Sequence, residues 1–327
     1  MERAQKQVGN HDDDPGSSLL FKTQRILPSN ICLGIVFLSE TGIGIVANFF
    51  LLSLLILKIL AGHKMRPINL ILTQLILANV TMLASKGIPQ TLLVFGWDNF
   101  LDEVGCKIVF SFCKVSQGLS ISFTCLLCTF QAITISPNDS KWAKSKTRVS
   151  EVIAPICLLL WSLNLLIEIP VPITVRSPRI STNITYRINT MFCSFGRFLE
   201  AYWIMSILRN VLFSGLMIWT SGYMVLLLYR HHKQVQNIHS TSLSPRASPE
   251  IRATKNILVL VIFFVCCYLF NSIFVLCFSS VHQRGVWLLP TSAFLSLSFP
   301  ALSPFVFISQ VHQPCCVFWI TKQPNPP

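Results

Sequence analysis

The run ICLGIVFLSETGIGIVANFFLLSLLIL, residues 31–57, decides the class of fold. It carries a single charged side chain, Glu40, in a length that suffices to cross lipid. A hydrocarbon core of ~30 Å takes about 20 apolar helical residues. Six further runs of comparable character follow, at 68–83, 108–135, 152–175, 202–229, 257–278 and 286–309. Backbone facing lipid must satisfy its own hydrogen bonds, so each run reads as a helix. A spanning barrel would alternate apolar and polar residues instead. The sequence therefore predicts an all-α membrane protein, a seven-transmembrane helix bundle.

Composition agrees with this reading. The chain of 327 residues is 52% hydrophobic and 12% charged, where a soluble domain averages about 25% charged. Its length is used up by spans and short connections, which divides it into a polar tail (1–30), one transmembrane bundle (31–309) and a second tail (310–327). The net charge of +13 comes from basic residues concentrated in the connections, as inner-leaflet contact requires, so nucleic acid is not the expected partner. Residues 1–30 lack the charged and apolar regions of a cleavable signal, and the first span is expected to direct insertion.

Orientation rests on loop character, because Lys and Arg are nearly balanced between the two sides. Lys141, Lys144, Lys146 and Arg148 form a dense basic run between spans three and four. The preceding connection carries Asp98, Asp102 and Glu103. The basic side is expected in the cytoplasm, with the amino terminus outside and the carboxyl terminus inside. Cys106, opening span three, and Cys193, after span four, then share the oxidising side and have the placement of a structural bridge. The sequon Asn183-Ile184-Thr185 falls on the same side, making Asn183 the expected glycosylation site. Cysteines inside the spans, Cys125-x-x-Cys128 included, lack matching second pairs and are read as apolar side chains, with no metal and no cofactor expected. Cys315 and Cys316 follow span seven, where palmitoylation would tie the tail to the bilayer.

Ionisable groups within spans point to function, since each is costly unless it faces the bundle or water. Glu40, Lys114, Glu168 and Arg209 fall in one layer, roughly 10–14 Å below the outer helix ends at ~1.5 Å per residue. Lys114 and Glu168, on neighbouring spans, suit mutual neutralisation. They equally suit a small-molecule pocket between helices. Gln117, one turn below Lys114, and Tyr268 and Asn271 in span six would complete it. Two cations, Lys114 and Arg209, at that depth favour an anionic or strongly hydrogen-bonding ligand. Arg230, Lys233, Arg252 and Lys255 join the basic loop as candidates for an inner surface that faces a cytoplasmic partner, and lipid headgroups are the alternative contact.

Several blocks, in this order, carry a family resemblance: Leu77-Ala78-Asn79, Lys86-Gly87-Ile88-Pro89-Gln90-Thr91, Gly105-Cys106-Lys107-Ile108-Val109-Phe110, Phe130-Gln131-Ala132-Ile133-Thr134-Ile135-Ser136-Pro137, Leu243-Ser244-Pro245-Arg246-Ala247-Ser248-Pro249-Glu250 and Leu302-Ser303-Pro304-Phe305. The chain resembles the vomeronasal type 1 pheromone receptors, relatives of the rhodopsin-like seven-helix class, over nearly all its length. The resemblance implies a plasma-membrane chemosensory receptor for a small semiochemical, coupled to a heterotrimeric G protein of the inhibitory type. Compared with rhodopsin-like receptors, Asn79 stands where an aspartate helps hold sodium, and Phe130-Gln131-Ala132 replaces the Asp-Arg-Tyr group. Tyr268 occupies the tryptophan switch position, and Ser303-Pro304 replaces Asn-Pro. A bitter-taste-type receptor is the nearest alternative, disfavoured by the two cysteines. A transporter or channel would show paired repeats and broken helices, and neither is evident. No His-Glu-x-x-His, Gly-x-Ser-x-Gly or Gly-rich phosphate loop suggests an enzyme.

Overall fold

Proline and cap chemistry, more than apolarity, set where the helices begin. The computed structural model describes residues 28–62, 66–97, 100–136, 143–176, 188–189, 193–195, 200–238, 258–268, 270 and 288–320. Helix α1 covers Pro28–Leu60 and α2 covers Pro67–Met82, with Pro67 in the first turn, where a missing N–H costs nothing. A π turn at Leu83–Gly87 follows, then α3 (Ile88–Val94). Pro89 has no N–H to give the carbonyl of Ser85, and its ring would press on that carbonyl in a regular α-helix. The wider turn just before it relieves both problems. The second span therefore runs Pro67–Val94, well past the Leu83 boundary that apolarity suggests. Lys86 lies inside this span, not after it.

Helix α4 (Glu103–Ile135) starts five residues before the apolar run because Asp102 caps it, its carboxylate accepting from the Gly105 N–H at 2.7 Å. Helix α5 spans Ala143–Glu168 and a short α6 spans Val171–Thr174. Strands β1 (Val175–Arg176), β2 (Ile188–Asn189) and β3 (Ser194–Phe195) form an antiparallel sheet in the order β1-β3-β2. Val175 and Ile188 both pair with Phe195 in this sheet. Helix α7 runs Glu200–Ile238, α8 covers Leu258–Tyr268, and α9 runs Leu288–Ile320. Among the described residues, six helices are long and apolar enough to cross a membrane, and the shorter apolar α8 supplies the seventh member of the bundle.

Helix α4 is the axis of the molecule. It packs against α2, α5, α6, α7 and β1, and 67% of its apolar window is buried, against 17% to 50% in the other spans. Elsewhere, large apolar side chains face outward, among them Leu158, Leu166, Ile204 and Trp219. This is how a bundle presents itself to lipid, where burial of apolar surface no longer drives association and close packing and polar links take its place.

Those links cross between helices at buried amides. Pro304 has no N–H for the Pro300 carbonyl, and Asn48 Nδ2 on α1 donates to that carbonyl at 2.9 Å. The same amide donates to Gly44 O at 2.8 Å. Gly44 permits this approach, because a Cβ there would lie 2.9 Å from the Ala301 Cα. Asn79 Nδ2 donates to Ser303 Oγ at 2.9 Å, and its Oδ1 accepts from Ser120 Oγ at 3.2 Å. Where rhodopsin-like receptors have an aspartate, this chain ties α2, α4 and α9 with neutral groups. Trp161 Nε1 donates to Gln74 Oε1 at 2.9 Å and joins α5 to α2.

Replacing Asn48 by Leu removes the substitute donor for Pro300 and should lower stability by about 1–3 kcal/mol. Thermal unfolding of the detergent-purified protein measures this, with the outward-facing Ser53→Ala as the neutral control.

Candidate functional site

Two polar clusters occupy the half of the bundle nearest the disulfide. Cys106, at the start of α4, is bridged to Cys193 beside β3, with Cα atoms 5.9 Å apart. Phe110, Val171, Val175 and Tyr202 pack around the bridge, fixing the sheet to the end of α4.

The first cluster joins α4, α5 and α7. Arg209 Nη1 lies 2.7 Å from Glu168 Oε1, with side chains 4% and 1% exposed. Tyr202 donates its hydroxyl to Glu168 Oε2 at 2.8 Å. Arg209 also donates from Nη1 to Asn164 Oδ1 at 3.3 Å, from Nη2 to Ser206 Oγ at 3.3 Å and from Nε to Asn210 Oδ1 at 3.2 Å. Asn164 in turn donates to Ser122 Oγ at 3.2 Å. Both carboxylate oxygens and all three guanidinium nitrogens are thus engaged. Gly118 makes room for this reach across α4. A Cβ at that position would lie 2.2 Å from Asn164 Oδ1 and 2.6 Å from Arg209 Nη1. The cluster is closed.

The second cluster lies between α1, the π turn, α4 and α9. Lys86 donates to Ser296 Oγ, which donates onward to Ala293 O at 2.7 Å. Ser298 donates to Glu40 Oε1 at 3.0 Å, while Glu40 Oε2 is buried with no partner among the described residues. Lys114 holds its ammonium 5.4 Å from the centroid of the Phe110 ring, a cation–π contact. The π turn that carries Lys86 packs against α1, α4 and α9, the helices that bear Glu40, Lys114 and Ser296. Among the described residues, neither lysine is in ion-pair contact with a carboxylate.

Below these charges lies a cavity of ≈ 40 Å³ whose walls include Gln117, Ser120, Phe264, Tyr268, Ser296 and Phe299. Tyr268 stacks on Phe264 with centroids 6.2 Å apart, and Phe299 meets Phe264 edge-on at 4.6 Å. A wider recess of ≈ 530 Å³ between α2, α4 and α5 is lined by the outward-facing Leu77, Phe112 and Leu165, and it opens to lipid.

Of the pocket residues expected from sequence, the structure brings Gln117 and Tyr268 together and sets Lys114 one turn above Gln117. Glu168 neutralises Arg209 rather than Lys114, because α7 presents its guanidinium through the gap at Gly118. Asn271, Asn183, Lys141, Arg252 and Lys255 lie outside the described residues. Lys144, Lys146 and Arg148 stand on the first turns of α5, in helix where a loop was expected, and Arg230 and Lys233 are exposed near the far end of α7. Cys315 and Cys316 lie within the continuous α9. Sequence reasoning overlooked Lys86 as a site residue, although a lysine three residues before Pro89 is visible once the span is extended. It also overlooked the Ser136 Oγ–Tyr223 Oη contact at 3.1 Å, which joins α4 to α7 at the end remote from the disulfide.

A sequence model described as "Vomeronasal organ pheromone receptor family" matches residues 31–318. Among curated relatives, human vomeronasal type-1 receptor 1 is 41% identical over 278 residues, covering 84% of this chain and 79% of that protein. Human vomeronasal type-1 receptor 4 is 40% identical over 286 residues, covering 85% of this chain and 94% of its own length. Zebrafish (Danio rerio) olfactory receptor class A-like protein 1 is 31% identical over 281 residues, covering 84% and 88% respectively.

Breaking the buried ion pair on one side leaves an uncompensated charge. Glu168→Leu and Arg209→Leu should each cost about 3–5 kcal/mol, whereas the double change to Leu should be tolerated better than either alone. Surface expression and thermal unfolding of the three variants report the order, and a double variant less stable than both singles contradicts it.

Proposed function

The chain belongs to the vomeronasal organ pheromone receptor family, and on that footing we propose that it is a plasma-membrane receptor that binds a small semiochemical in the disulfide half of the bundle and activates a heterotrimeric G protein. The disulfide end then faces the extracellular fluid, with Asn183 glycosylated on that side. The end bearing Arg230, Lys233 and the basic first turns of α5 from Lys144 to Arg148 faces the cytosol, and Lys141, Arg252 and Lys255 are assigned to the same G-protein-facing side. The G protein is of the inhibitory type, and Cys315 and Cys316 carry palmitate that holds α9 to the inner leaflet.

The observation that supports this reading is the position of the cavity. It is walled by α2, α4, α8 and α9, and its floor is the Phe264–Tyr268–Phe299 aromatic group. One wall residue, Ser120, also hydrogen-bonds Asn79, which holds Ser303 on α9. A molecule that displaces Tyr268 or Phe299 therefore acts on the polar links that fix α9 against α2 and α4. At the opposite end, Ser136 and Tyr223 hold α4 to α7, where this chain's Phe130-Gln131-Ala132 leaves no charged latch. Activation is a shift between two packings of these helices, biased by whatever binds one packing more tightly.

The deciding experiment expresses the full chain in cells and reads cyclic nucleotide and calcium against a panel of steroids and volatiles, with and without blockade of inhibitory G proteins. Responses abolished by the blockade, and reduced severalfold by Arg230→Glu combined with Lys233→Glu at unchanged surface expression, are expected. Ligand-dependent current or uptake by the purified protein in liposomes lacking G protein would place it among channels or transporters instead.

A further inference from the structure

The two clusters differ in their charge balance, and the difference bears on what the cavity receives. In the closed cluster one carboxylate meets one guanidinium in direct contact. In the open cluster, among the described residues, the helices packed around the π turn bring together two lysines, Lys86 and Lys114, and one carboxylate, Glu40, giving two positive charges against one negative. Glu40 is turned to α9, where Ser298 occupies one oxygen, and Lys86 is met by the neutral hydroxyl of Ser296. The charge of Lys114 is answered by the face of Phe110. An ammonium in hydrocarbon without a contacting counter-charge is expensive, and an arriving anion lowers that cost while gaining a charge-assisted hydrogen bond.

Building on the receptor reading above, we propose that Lys86 and Lys114 are the anion anchor of the cavity, and that its ligands are small organic anions, a carboxylate or sulfate on a compact apolar body. Ser296 gives the link between anchor and cavity, since it accepts from Lys86 and lines the space below. The walls beneath it, Met82, Leu295, Phe264 and Phe299, suit the apolar body, and Gln117 and Tyr268 give hydrogen-bonding edges. The volume of ≈ 40 Å³ favours compact bodies that part Tyr268 from Phe264. Arg209 is no part of the anchor, because Glu168 and its other acceptors already hold all three guanidinium nitrogens.

The test uses the purified full chain in lipid nanodiscs, with thermal unfolding followed against concentration of benzoate, octanoate and phenyl sulfate, each beside a neutral counterpart (benzamide, octanamide and phenol). The anions should stabilise at concentrations about tenfold lower than the neutral compounds, the ratio that one charge-assisted contact supplies. Lys86→Gln should abolish the preference, Lys114→Gln should reduce it, Lys86→Arg should keep it, and Glu40→Gln should strengthen it. Equal stabilisation by charged and neutral members, no stabilisation by any probe, or a preference that survives Lys86→Gln overturns the anchor. Should Lys86→Gln not fold, the wild-type comparison and Lys86→Arg still decide. Nucleotide exchange on an added inhibitory G protein separates the two readings. Anions that stabilise through Lys86 without driving exchange leave the anchor and remove the receptor function. Neutral compounds that drive exchange equally in the wild type and Lys86→Gln do the reverse.

Discussion

Inside a bilayer, a polar group that the protein does not satisfy has no water to turn to, and this requirement organises the whole bundle. Apolar contact cannot choose between helix arrangements when lipid is as apolar as leucine. The discriminating contacts are polar and few. Asn48 answers the carbonyl that Pro304 leaves open, Asn79 joins α2 to α4 and α9, and Glu168 with Arg209 fastens α5 to α7 across α4. Each needs a small residue or a proline nearby to bring the backbones within reach, as Gly44 and Gly118 do. The most buried helix, α4, takes part in two of these links, which is why it serves as the axis.

The seven apolar runs made the architecture readable from sequence, because a span of lipid imposes a length and a composition that few other folds imitate. The bridge between Cys106 and Cys193 was readable for the same reason, once both thiols fell at one end of the spans. What apolarity does not encode is continuity of a helix through charge and proline. Lys86 and Pro89 look like a stop, yet the π turn carries the helix through to Val94. The extension of α7 to Ile238 has the same origin, since polar residues continue a helix beyond the lipid without any apolar signature. Helix α9 runs on to Ile320 through the polar and proline stretch Gln310-Val311-His312-Gln313-Pro314 that reads as the end of the apolar run.

The candidate site was half legible. Counting residues from a helix end fixes depth, and depth alone gathered Glu40, Lys114, Glu168 and Arg209 into one layer. Rotation about each helix axis decides partners, and rotation depends on packing that no single run of sequence reveals. Lys114 and Glu168 share a depth but not a contact. Gly118 was the available signal, a residue without a side chain one turn below Lys114, where a long cation from α7 could cross. Lys86 was hidden by the span boundary itself.

The two polar clusters show opposite uses of charge in hydrocarbon. Around Glu168 and Arg209, every charged atom has a partner, the sum of charges is zero and a Cβ at Gly118 would already be too much. Such a cluster gains nothing from an added molecule, since any ligand would first have to break a contact in low dielectric. Around Lys86 and Lys114 the positive charge exceeds the negative, the lysine contacts are to a hydroxyl and a ring, and a cavity adjoins. Here an added anion replaces weak contacts with a strong one and breaks no ion pair. The same physics that makes α5 and α7 a fixed brace against α4 makes the space between α2, α8 and α9 the place where binding energy is still to be gained. A ligand drawn there presses on Tyr268 and Phe299, the side of the bundle held by neutral hydrogen bonds instead of an ion pair. On the proposed reading, the part of the bundle held by neutral hydrogen bonds and the part that receives the ligand are the same part.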